Sequence, residues 1–190
     1  MTLLTVWAEN DSATHEIKTA DLEEITAILK DISVRFERWE LAELGAGATR
    51  DDVLAAYHDH VSVVIAREGY KLVDVAQLSP SKNEGWPAVA AEARAKFLSE
   101  HTHEDDEDRF FAVGSGTFYL HRNSKVYAVL CEAGDLLSVP AGATHWFDMG
   151  TSPHFIAIRF FHDDDGWIGE FTGSAIASRF PTHDQIVAAR

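Results

Sequence analysis

The sequence predicts a mainly β protein, a sandwich or barrel of short strands with helices packed on it from the N-terminal half. Three observations predict it. From Glu107 onward the texture changes, and the runs RFFAV, GTFYLH, KVYAVLC, DLLSVP, THWFDM and HFIAIRFF follow one another closely, separated by Gly, Asp, Asn or Pro. The first half alternates strand-like with helix-like pieces instead. The length of 190 residues suits one domain, and 46% apolar with 11% aromatic residues supplies a core.

Taken in order, LLTVWA from Leu3 to Ala8 reads as a short strand. Asp21 to Ile32 reads as a helix, with Asp21 and Glu24 spaced to satisfy free backbone N–H groups at its start. SVRFERWEL alternates as a strand with two useful faces. Residues 49–70 read as one longer helix, with Thr49 as its cap and Gly69 as its stop. AVAAEARAKFLSE reads as a third helix that delivers the chain to the stretch SEHTHEDDEDRFF. SAIASRF near the end predicts one more helical turn.

Charge narrows the function classes. A formal net charge of −15 makes a polyanion a poor partner, since phosphate binding runs on clustered Lys and Arg. Any bound anion then needs a local cationic centre, an arginine or a metal. The single cysteine, Cys131, allows no internal disulfide and fits a reducing compartment. The start, MTLLTVWAENDS, has no basic region before an apolar run, and no apolar run is long enough to span a bilayer. A cytoplasmic monomer with no nucleic-acid or membrane partner is the expectation.

The chemistry is concentrated in two segments. On extended backbone His101, His103, Glu107, Arg109 and Phe111 share parity and face one side. On a helix His101 and His103 would be about 200° apart and could not share a ligand. Downstream, GDLLSVPAGATHWFDM has Gly134, Pro140, Gly142 and then His145 at the start of a strand. Together they predict three imidazoles and one carboxylate, a site for Fe(II), Ni(II), Mn(II) or Zn(II). Four protein ligands on an octahedral ion leave two positions open, as a catalytic site needs. The ion so held carries about +1 net charge, which favours an anionic chelate, with Arg109 adding fixed positive charge.

The two segments match the cupin motifs: His101, His103, Glu107 and Gly114 in the first, Gly134, Pro140, Gly142 and His145 in the second. Ala95 and Met149 stand where those motifs often have Gly and Asn, and neither is a ligand position. With VRFERWEL upstream and DGWIGEFTG downstream, the chain resembles the acireductone dioxygenase family over nearly its whole length. The resemblance implies a cupin double-stranded β-helix, a jelly-roll barrel, in one domain over 1–190. Within it, 1–98 form a mixed α/β part, 99–172 the metal-binding β-barrel core and 173–190 a C-terminal tail. It implies one Fe(2+) or Ni(2+) per chain on His101, His103, Glu107 and His145. The implied reaction is cleavage of 1,2-dihydroxy-5-(methylthio)pent-1-en-3-one by O2 in methionine salvage. The iron form would give 2-oxo-4-methylthiobutanoate and formate, the nickel form methylthiopropanoate, formate and carbon monoxide. Arg109, Glu100 and Arg159 match the family's catalytic and supporting groups. Asp108 stands where the family usually has an apolar residue, and its parity turns it from the cavity.

Phe97, Phe111, Phe147 and Trp167 are candidates to line an apolar substrate pocket, against the plainer reading of ordinary core. Arg109 has a plainer reading too, a salt bridge to Glu107 or Asp108. His58 and His60 sit in a helical pattern where i and i+2 diverge, so they read as surface histidines. The run from His162 to Asp165 reads as a solvated loop, His121 and His154 as strand residues without chemistry, and Cys131 as a small core residue. Two other classes carry the same motifs. A sugar-phosphate isomerase would want a basic cluster near the site, which is acidic here. A small-molecule sensor would carry a DNA-binding or partner module, and no basic helix-turn-helix pattern is present.

Overall fold

A computed structural model of the chain describes residues 1–80, 85–162 and 168–190. The N-terminal part contributes strands β1 (Leu3–Ala8), β2 (His15–Thr19), β3 (Arg35–Arg38) and β4 (Leu72–Leu78). Its helices are α1 (Leu22–Asp31), α2 (Arg50–Ala56), α3 (His58–Glu68) and α4 (Trp86–Ala95). Then come β5 (His101–Thr102), β6 (Glu107–Arg122), β7 (Lys125–Glu132), β8 (Asp135–Val139), β9 (His145–Asp148), β10 (Phe155–Phe161) and β11 (Glu170–Phe171). A 3-10 turn at Ile176–Arg179 and α5 (His183–Ala188) finish the chain.

The strands form two antiparallel layers that share β6. Its second half pairs with β7 and β9, in the layer ordered β11-β5-β9-β6-β7-β1-β2. Its first half pairs with β8 and β10, in the layer that also holds β3 and β4. The crossing lies at Gly114, with φ 75°, where a Cβ would come within 1.8 Å of the His154 carbonyl oxygen. Only glycine fits that contact in that conformation. The expected turn at Gly114 is therefore a kink inside one strand of 16 residues, which joins RFFAV to GTFYLH.

Alternation along the strands sorts side chains into three cores. Phe111, Phe118, Leu120, Val129, Cys131 and Phe147 fill the space between the layers. Phe110, Leu136, Ile158 and Phe160 face outward, onto Trp39 and α2 and α3. Tyr119, Trp146 and Leu130 face the C-terminal tail at Phe180 and Ile186. Strands covered on both faces read as near-continuous apolar runs, which is why the β half is so conspicuous in the sequence.

Some elements differ from expectation. Residues 49–70 form two helices, because Tyr57 leaves helical geometry (φ −109°, ψ 16°) and packs its ring on Phe110 at 4.8 Å. Thr49 and Asp52 form a reciprocal cap, and Gly69 ends α3 in the left-handed conformation. SVRFERWEL contributes only four strand residues, ending where the Trp39 N–H leaves its edge for the Gly134 carbonyl. The third helix stops at Ala95, and the carbonyl of Phe97 instead accepts the N–H of Phe147. Strands β2 and β4 and helix α5 are additions to the predicted set.

Candidate metal centre

His101 and His145 are direct register partners across β5 and β9, with ring centroids 4.5 Å apart. His103 follows just past the end of β5, its ring 4.9 Å from that of His145. One nitrogen from each ring lies within 4.8 Å of the others, and all three residues are buried. Glu107 opens β6 in the other layer, with Oε2 3.0 Å from His103 Nε2 and 3.3 Å from His145 Nε2. The backbone between His103 and Glu107 bends and is not one extended strand as parity assumed, yet both ends still face inward. The Gly142 N–H donates to the His103 carbonyl, which ties the two motif segments together at 2.9 Å.

The imidazoles are oriented from behind. Nδ1 of His101 lies 2.8 Å from the Ser99 carbonyl, that of His103 2.5 Å from the Asp105 carbonyl, and that of His145 2.8 Å from the Ala143 carbonyl. A carbonyl only accepts, so each Nδ1 donates, and each neutral ring presents Nε2 as a lone pair. Two of those lone pairs face a buried carboxylate oxygen. That arrangement is stable only with a cation or a proton between them. Three imidazole nitrogens and one carboxylate, with the rings fixed by hydrogen bonds, fit a divalent first-row metal.

Electrostatics agree with the geometry. Burial would raise the Glu107 carboxyl, but Arg109 and the two imidazoles override it and hold Glu107 well below the usual carboxylate range. Burial holds His101 below its ordinary value against the pull of the Ser99 carbonyl. Burial also lowers His103, but Glu107 beside it outweighs that, and the ring stays above its ordinary value.

Arg109 points into the same interior. Its Nη2 lies 2.7 Å from Glu107 Oε1, and both side chains are about as buried as the histidines. The plainer reading of Arg109 is thus present as geometry, and it places a guanidinium against the carboxylate. The guanidinium carbon sits 4.2 Å from the centroid of Phe147, 5.1 Å from Phe118 and 6.0 Å from Phe97. Phe111 is fully buried behind Phe147, 6.3 Å away. Trp167 lies outside the described residues, as do Asp163, Asp164 and Asp165. Asp108 turns the opposite way, as alternation requires, and pairs with Arg35 at 2.7 Å. Burial pushes its carboxyl up to about 6, against Ser138 and Arg35.

Glu100 and Arg159 stand one layer back. Glu100 is buried, and its carboxylate lies 2.7 Å from His121 Nδ1 and accepts the Thr172 hydroxyl at 2.6 Å. Arg159 is the register partner of Arg109 and is held by two hydrogen bonds to Asp74, at 2.8 and 2.5 Å. His58 and His60 are both exposed on α3, as expected, and the His60 ring stacks on Trp39 at 4.7 Å.

Three features escape the sequence reading. His121 is no idle strand residue: its other nitrogen lies 2.9 Å from Glu9, so the ring bridges two carboxylates. Gly116 is the floor under Phe147, since a Cβ there would come within 2.4 Å of that ring. Asp105 reaches His162, far along the chain. No local spacing marks any of these. Only the register of β6 against β7 and β9, and of β10 against β4 and β6, brings them together.

A family model described as the ARD/ARD' family matches residues 5–169 of the chain. A protein from Saccharopolyspora erythraea described as acireductone dioxygenase is 60% identical over 190 residues, covering 100% of both chains. One from Frankia alni with the same description is 56% identical over 187 residues, 98% of this chain and 91% of that one. The solved structure described as acireductone dioxygenase from Bacillus anthracis with cadmium ion in active center is similar at a TM-score of 0.75. It is 29% identical, and the match covers 90% of this chain and 98% of that one. Among the described residues no helix is long and apolar enough to cross a membrane.

Proposed function

The chain belongs to the ARD/ARD' family, and from that footing we propose that His101, His103, Glu107 and His145 hold its catalytic metal, one Fe(2+) or Ni(2+) per chain. The protein is a metal-dependent acireductone dioxygenase of the methionine salvage pathway, acting on a small molecule with O2. The observation that carries the ligand assignment is the set of three Nδ1-to-carbonyl hydrogen bonds, which turn three lone pairs toward one carboxylate.

The bound ion supplies Lewis-acid and redox chemistry for the substrate and O2. The side chains do the rest. Glu107 and Arg109 cancel in charge, so the ion's own charge is left to meet an anion, the deprotonated enediol. Arg109, paired with Glu107, holds its N–H donors in a fixed, desolvated place where oxygen anion accumulates, and they need no reorganisation during reaction. Phe97 and Phe147, the rings beside Arg109, form the apolar side that receives the methylthio tail and excludes water, with Phe111 packed behind Phe147. Glu100 and Arg159 act through others: Glu100 steadies the chain beside His101 through Thr172, and Arg159, held by Asp74, backs Arg109.

The iron form gives 2-oxo-4-methylthiobutanoate and formate, and the nickel form gives methylthiopropanoate, formate and carbon monoxide. The protein works as a cytoplasmic monomer, and its net charge of −15 disfavours nucleic acid. Anaerobic mixing of iron- or nickel-loaded protein with the acireductone, followed by O2 and product analysis, tests this reading. Formate from both forms and carbon monoxide from the nickel form alone are expected. Substrate consumed no faster than without protein would overturn it.

A further inference from the structure

The acidic run after His103 divides its labour. Glu107 faces the three imidazoles, and Asp108 faces Arg35. Asp106 accepts the N–H of Ala141 at 2.8 Å, in the turn that leads to His145. Glu104 is exposed, and Asp105 faces β10. Its Oδ2 accepts the backbone N–H of His162 at 2.9 Å, and its Oδ1 meets His162 Nδ1. The other ring nitrogen, Nε2, donates to the Glu68 carbonyl at the end of α3, 3.1 Å away. The ring also packs on Tyr70, with centroids 4.4 Å apart. His162 is thus fixed on three sides, and it grips Asp105 by two contacts. The backbone carbonyl of that same Asp105 accepts Nδ1–H from His103.

We propose that Asp105 and His162 are positioning residues for the metal centre. The clamp holds one peptide carbonyl in place, and that carbonyl aims the His103 ring. The loop from Glu104 to Asp106 lies between β5 and β6 and has no ladder partners among the described residues. Without the clamp the carbonyl loses its anchor, and His103 loses the bond that fixes its tautomer. This inference rests on His103 being a ligand, and it concerns how firmly that ligand is held.

The test is the rate of Ni2+ release into excess EDTA from the loaded full-length protein. His162→Ala removes the ring contact, keeps the backbone N–H, and is expected to release metal roughly tenfold faster, the lower end of the loss in affinity found when a group orienting a ligand is removed. His162→Asn places an amide N–H where Nδ1 was and is expected to return the rate to near that of the unaltered protein. Asp105→Asn keeps the carbonyl and one acceptor, covers the case in which His162→Ala fails to fold, and is expected to fall between. Release from His162→Ala or Asp105→Asn at the rate of the unaltered protein would overturn the proposal. So would equal loss in His162→Ala and His162→Asn, which would make the ring a packing element only. Uptake of one Ni2+ per unaltered chain, abolished in His101→Ala, checks the ligand reading separately, and absence of uptake overturns both.

Discussion

Nε2 of His103 stands 3.0 Å from Oε2 of Glu107, and both side chains are largely withdrawn from solvent. The ring's other nitrogen already donates to a carbonyl, so a neutral His103 turns a lone pair toward a carboxylate. Left alone, that contact costs free energy, and with a cation it becomes half of a binding site. His101→Ala and Glu107→Ala should therefore lose metal and turnover together. The loss of affinity should exceed the roughly 10- to 100-fold typical of groups that only orient a ligand. Metal content by elemental analysis, beside initial rates, checks it; full occupancy in either variant would refute the assignment.

Arg109 should separate binding of metal from reaction. Arg109→Lys keeps a charge near Glu107 but loses the planar group stacked 4.2 Å from Phe147. We expect the metal to remain and kcat/KM to fall, by about 100- to 1,000-fold for Arg109→Ala as for loss of one preorganised charge donor. In the metal-free protein Arg109→Ala also strips a buried carboxylate of its partner, destabilising the fold by roughly 3–5 kcal/mol. Steady-state kinetics and urea melts read the two effects apart, and an unchanged rate in both variants would remove Arg109 from the reaction.

Gly116 should be intolerant of a methyl group. A Cβ there would lie 2.4 Å from the Phe147 ring, which must then shift from its place beside Arg109. Overpacking of this kind costs about 1–3 kcal/mol. Gly116→Ala should lower the urea midpoint and raise KM for the methylthio substrate more than it lowers kcat. A variant with unaltered midpoint and KM would show that the ring has room to give.

His121 should impose a pH dependence on stability. Burial lowers its pKa, but Glu9 and Glu100 outweigh that and hold it above the ordinary 6.5. The stabilisation is full below the unfolded value and is lost as pH rises through the folded one. Stability should therefore decline from about pH 6.5 upward, and part of that slope should vanish in His121→Asn. Urea midpoints of both proteins across that range measure it, and parallel curves would exclude His121 as the source.

How much of this was legible beforehand follows from the range of each signal. The two motifs were legible because their residue spacings and glycine turns are local, which brought His101, His103, Glu107 and His145 into view even though the bend after His103 breaks the assumed parity. The break at Tyr57 was not, since no Pro or Gly marks it and packing on Phe110 imposes it. Strand β4 was missed because both its faces are packed, Val73 and Val75 on one core and Ala76 and Leu78 on the other, so LVDVAQL shows no clean alternation of polar with apolar residues. The Asp105–His162 clamp joins residues 57 apart in sequence, so its pairing exists only in the folded sheet. Asp105 in isolation is one acid among several. Its meaning lies in the carbonyl it carries.

The central claim is that two separate segments deliver four side chains to one cation. A crystal structure of the nickel-loaded protein tests it most directly. The account predicts a single ion bound by Nε2 of His101, His103 and His145 and by the Glu107 carboxylate, with exchangeable solvent as its only other ligands. An ion bound elsewhere, or one whose coordination the protein alone completes, would contradict it.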